Sequence, residues 1–64
     1  DEATSIALNH AGVSQSDTYG LHTELDRDDG RVRYEVEFKS GGYEYNYTIN
    51  ASDGSIVEYD RERD

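Results

Sequence analysis

Asp26, Asp28 and Asp29, just ahead of Gly30, are the first residues with site chemistry, because closely spaced carboxylates can wrap a calcium ion. The spacing does not complete such a loop. An EF-hand needs glycine at its sixth position, and counting from Asp26 that position is Arg31, so the cluster reads as a solvated hairpin turn. His10 and His22 could serve as ligands or bases, but no cysteine and no third histidine joins them. His10 instead reads as a rim residue at the end of a helix, where a cation meets the helix dipole favourably. The serines lie in turns or at the polar start of the helix, and no base is placed to orient one as a nucleophile. Glu35 and Glu37 share a strand face, yet a general acid needs desolvation that the open face of so small a sheet does not give. The expectation is no catalytic residue, no metal and no cofactor.

What remains is surface chemistry, and its placement depends on the elements beneath it. Val32, Tyr34, Val36 and Phe38, then Tyr43, Tyr45, Tyr47 and Ile49 beyond two glycines, alternate with polar residues. Period two puts these eight on one face of an antiparallel hairpin and leaves Glu35, Glu37 and Glu44 on the other. The pairing arithmetic in this hairpin sets Phe38 opposite Tyr43 and Tyr34 opposite Tyr47, which brings Glu37 directly against Glu44, with Lys39 diagonal to them. Tyr19, Leu21, Thr23 and Leu25 continue the period as a first strand, and pairing Leu25 with Val32 places Asp26, Glu24 and His22 opposite Arg31, Arg33 and Glu35.

Ala3, Ile6, Ala7, His10 and Ala11 follow the spacing of one helical face, with Asp1 and Glu2 suited to the helix N-terminus. Gly12 can take the left-handed position that ends the helix, with Val13 folding back toward Leu8. After a turn at Ser52-Asp53-Gly54 a short last strand carries Val57 and Tyr59 inward, or Ile56 inward if the register slips by one. Residues 60–64 alternate charge without an apolar anchor and are expected to fray.

The fold class is therefore α+β, one N-terminal helix packed on an antiparallel meander sheet of three to four strands. The expected layout is one domain over 1–64, with the helix at about 2–11 and strands at about 18–26, 31–39, 43–51 and 55–59. Ile6, Ala7, Leu21, Leu25, Val32, Tyr34, Val36, Phe38, Tyr45, Tyr47 and Ile49 form the expected core. Tyr43, near a hairpin end, and Tyr59, on the last strand, are the tyrosines expected to be partly exposed.

Fifteen acidic against six basic side chains give a net charge of −9, which repels nucleic acid and anionic lipid and favours a basic protein surface. No apolar run approaches the ~20 residues of a membrane span, so direct insertion is not expected. No cysteine is present, so no disulfide or thiolate zinc site reinforces the 64 residues. The chain reads as a mature or excised segment of something larger. Monomer is the default state, with edge-strand pairing or exchange of the helix as routes to a dimer.

His10-Ala11-Gly12-Val13, Tyr34-Glu35-Val36-Glu37-Phe38, and Tyr45-Asn46-Tyr47-Thr48-Ile49-Asn50-Ala51 followed by Asp53-Gly54-Ser55-Ile56 together resemble a PepSY domain over nearly the whole chain. The resemblance implies a helix on an antiparallel sheet, found in bacterial secreted or surface proteins and in propeptides of thermolysin-type metalloproteases, where it restrains peptidase activity. Asn46 and Asn50 stand where that family often has an acidic residue, and Asp53 where threonine often precedes the glycine. The function this implies is a non-catalytic interaction module of an extracytoplasmic protein that modulates or inhibits a peptidase, with Glu35, Glu37, Glu44, Tyr43 and Tyr59 as partner-binding residues. The alternative is a structural spacer in a larger secreted or surface protein, and a small enzyme or metal-binding domain is the third reading.

Overall fold

The computed structural model describes residues 2–63, so Asp1 and Asp64 lie outside the described residues. Helix α1 (Glu2–Ala11) precedes a 3-10 turn at Gln15–Asp17 and four strands, β1 (Tyr19–Asp28), β2 (Arg31–Ser40), β3 (Tyr43–Asn50) and β4 (Ile56–Arg63). All neighbours pair antiparallel in the order β1-β2-β3-β4, an open α+β meander with α1 on the middle strands β2 and β3.

Ten residues rise about 15 Å as a helix, while the molecule is 35 Å long, so α1 covers only part of one sheet face. Ala3, Ala7 and Leu8 meet Val36, Phe38, Tyr47 and Ile49 in the buried core. The helical stripe is rotated from the expected one toward Thr4 and Leu8, and the buried Thr4 hydroxyl lies 2.9 Å from that of Thr23 on β1. At the helix end the Val13 amide donates to the Leu8 carbonyl and the Gly12 amide to that of Asn9, with Gly12 at φ 77°. That pair of bonds is the glycine-terminated stop expected there.

Both hairpins are tighter than the expected pairings. Asp29 and Gly30 take φ 50° and 76°, and Gly41 and Gly42 take 59° and 85°, so each connection is a two-residue loop with both residues left-handed. Every partner therefore shifts by two: Leu25 faces Tyr34 rather than Val32, Glu24 faces Glu35, and Asp26 faces Arg33. Phe38 faces Tyr45, Val36 faces Tyr47 and Tyr34 faces Ile49. A shift of two preserves the faces, which is why the inward set is still Val36, Phe38, Tyr47 and Ile49.

Two members of the expected core are not in it. Leu25 is 45% exposed and Val32 37%, because they lie toward the end of the first hairpin that the short helix does not cover. A bulge at Gly20 (φ 65°) also sets Tyr19 against Lys39 on the outer face, out of phase with Leu21 and Thr23.

The last strand departs most from expectation. It begins at Ile56 and runs to Arg63, past the 55–59 bounds and through residues expected to fray. Opposite it, Thr48 pairs with Glu58 but Ile49 pairs with Ile56, so Val57 is an extra, bulged residue. The bulge lets Ile56 and Tyr59 both face the helix side while Val57 stays exposed. In the preceding turn, the Asn50 side-chain oxygen accepts from the Ser52 amide and hydroxyl, and Asp53 accepts from the amide and hydroxyl of Ser55. Those Ser55 bonds hold the Asp53 carboxylate below its ordinary pKa. Asn50 and Asp53, two departures from the family pattern, thus close the turn.

Candidate functional site

The outer sheet face, away from α1, collects the acidic side chains that the alternation of each strand sends outward. Glu24 and Glu35 pair directly across β1 and β2, and Glu37 follows on β2 beside Asn46. Glu44 on β3 has Lys39 on one side and Glu62 on the other, while Asp60 faces Asn46 and Glu58 faces Thr48. The expected contact of Glu37 with Glu44 is therefore replaced by Lys39 against Glu44, because the loop closes on two residues. Like-charge opposition persists elsewhere, at Glu24 with Glu35 and at Glu44 with Glu62. Such pairs destabilise a sheet that carries them directly opposite. Arg31 and Arg33 balance Asp28 and Asp26 toward one end, which leaves the uncompensated charge over the centre and toward β4.

Glu35 records this crowding. A hydrogen bond with Asp26, then desolvation, then the charges of Asp26, Glu24 and Glu37 all raise its pKa above the ordinary carboxylate value. Because the folded value is raised, the associated stability is fully present below the unfolded pKa and is lost as pH rises through the folded one. We expect Glu35→Gln to stabilise the chain at neutral pH by on the order of a few tenths of a kcal/mol, given its exposure and solvent screening. The gain should vanish below the ordinary glutamate range. Paired thermal melts at acid and neutral pH check this; a variant less stable at neutral pH would contradict it.

The helix-side face presents a different surface where β3 and β4 emerge from beneath α1. Phe38 stacks on Tyr45 at 4.9 Å, Tyr47 stacks on Tyr59 at 5.6 Å, and the His10 ring lies 4.7 Å from that of Tyr59. His10 Nδ1 and the Tyr47 hydroxyl are hydrogen-bonded at 2.9 Å, fastening the helix end to the sheet. Burial raises the Tyr47 phenol pKa, with Tyr45 and Tyr59 adding and Arg61 opposing. Tyr43 is half-buried beneath the Arg61 guanidinium, 4.6 Å from its ring centre, whereas Tyr59 is 59% exposed. His10, Ala11, Tyr45, Tyr47, Tyr59 and Arg61 line a shallow groove of ≈ 390 Å³.

The structure thus divides the five expected partner residues: Glu35, Glu37 and Glu44 lie on the outer face, and Tyr43 and Tyr59 on the helix side of the β3–β4 end. Asp60, Arg61 and Glu62 were not anticipated there. Their signal was present in the sequence, where Glu58, Asp60 and Glu62 alternate with Tyr59, Arg61 and Arg63 at the strand period. Among the described residues, no three His, Cys, Asp or Glu side chains are grouped to hold a metal ion, and no helix is long and apolar enough to cross a membrane.

One short helix on an open four-stranded meander defines a small α+β module with one bare, acidic sheet face. The chain belongs to the PepSY family: the model of the Peptidase propeptide and YPEB domain matches residues 1–60. It is similar to an uncharacterized protein of Streptococcus pyogenes serotype M6, Spy1430, at 47% identity over 58 residues. That alignment covers 91% of this chain and 45% of the relative, so the chain spans less than half of that protein's length. No solved structure matches it.

Proposed function

We propose that the chain is a non-catalytic docking module of an extracytoplasmic protein, and that it modulates a peptidase by laying its acidic outer face on a basic partner surface. The observation that supports this most is the bare outer face with its like-charge pairs, Glu24 with Glu35 and Glu44 with Glu62. These oppositions cost stability in the free chain, and a basic partner relieves them while the net charge of −9 steers the encounter. Membership in a family described by peptidase propeptides supports a peptidase as the class of partner. The family frame also supports the extracytoplasmic setting.

The test titrates the chain into a bacterial thermolysin-type metallopeptidase freed of its own propeptide and follows initial rates. We expect saturable inhibition, with association slowed about tenfold at low salt by Glu35→Gln/Glu37→Gln/Glu44→Gln and slowed also by raising ionic strength. No inhibition would sink the peptidase reading. Inhibition indifferent to both charge and salt would remove the outer face as the docking surface.

A further inference from the structure

We infer that the free edge of β4 is a strand-addition site for an extended partner segment in which basic residues alternate with apolar ones. This rests on the proposed docking of a basic partner and specifies how its chain engages. Strand β4 lies at the end of the sheet and pairs, among the described residues, only with β3. Beyond the bulge at Val57, the stretch from Glu58 to Arg63 pairs regularly with β3, so its other edge offers a regular row of backbone groups.

The side chains along that edge say what can pair with it. Glu58, Asp60 and Glu62 project to the outer face, and Tyr59 and Arg61 to the helix side. A second copy joined edge to edge about a two-fold axis normal to the sheet would set these three acids against themselves. Pairing of β4 with the β1 edge of another copy, outer faces continuous, would bring them against Glu24, Asp26 and Asp28. Both arrangements repel, which disfavours a second copy as the occupant.

A segment with lysine or arginine at every second position satisfies the outer acids. Its intervening residues then point to the helix side, where exposed Tyr59 and the groove beside His10, Tyr45 and Arg61 offer aromatic surface to an apolar side chain. Backbone hydrogen bonds supply affinity and the alternation supplies selectivity. By contrast, the β1 edge is interrupted by the Gly20 bulge.

The experiment uses the 64-residue chain and three short end-blocked peptides of equal charge: lysine alternating with valine, the same peptide N-methylated on the residues whose amides would face β4, and one with its lysines contiguous. Affinity is measured with backbone amide exchange. The alternating peptide should slow exchange at the edge-facing amides between Glu58 and Arg63, and N-methylation or loss of alternation should each weaken binding by about tenfold or more. Equal binding of the N-methylated peptide through Glu35, Glu37 and Glu44 overturns the strand addition while leaving the acidic-face reading standing. Slowed exchange along β1 in place of β4, or binding by none of the peptides, also overturns it, while the acidic-face reading is decided by the peptidase titration.

Discussion

Phe38→Ala is expected to remove a large share of the folding free energy. Phe38 is 1% exposed, stacks on Tyr45 and lies 6.1 Å from Tyr47, so it joins the helix-covered core to the aromatic ladder that continues toward β4. Truncating a buried phenylalanine costs about 3–5 kcal/mol through lost burial and the cavity left behind. A chain of 64 residues, at roughly 0.05–0.15 kcal/mol per residue, holds only about 3–10 kcal/mol in total. Leu25→Ala is the internal control: Leu25 is 45% exposed, and its removal should change stability by no more than about 0.5 kcal/mol. Urea melts followed by circular dichroism compare the two, and similar losses would contradict the register.

The second large effect is expected at the helix. Ala7 is fully buried, with Ala3 and Leu8 beside it over Val36 and Ile49, so the helix rests on the sheet through small side chains. Ala7→Leu adds volume where nothing can yield without lifting the helix, and overpacking of this kind costs about 1–3 kcal/mol. The docked helix supplies much of the core cover, and ten residues are too few to hold a helix alone. The loss should therefore appear as one cooperative unfolding at lower temperature and not as selective melting of the helix. A neutral or stabilising Ala7→Leu would show that the helix does not seat where Ala7 places it.

The helix, its glycine stop and the two-faced hairpins were legible because each follows from local spacing. Ala3 and Ala7 fall four apart on one helical face, and Val36 and Phe38 alternate with Glu35 and Glu37. The expected register is off by two in both hairpins because it does not centre the loops on Asp29-Gly30 and Gly41-Gly42, whose left-handed conformation decides it. Asp-Gly and Gly-Gly are sequences that favour that two-residue loop. The strand at residues 60–63 was not legible because no apolar residue there anchors it. Arg61 instead seats its guanidinium on the Tyr43 ring, and the extra residue at Val57 keeps Ile56 and Tyr59 on one side. Of the partner residues, the acidic set on the outer face followed from the alternation alone. The separation of Tyr43 and Tyr59 from that set depends on where a short helix stops covering the sheet, which is a tertiary property.

A partner is expected to meet the acidic sheet face and not the helix. The most direct test maps the footprint of the inhibited metallopeptidase on the isotopically labelled chain by backbone amide shifts. Perturbation is expected at Glu35, Glu37 and Glu44, continuing onto Glu58, Asp60 and Glu62, with the helix exterior at Glu2, Ser5 and Asn9 unchanged. A footprint confined to Glu2, Ser5 and Asn9, with the outer face silent, would contradict it.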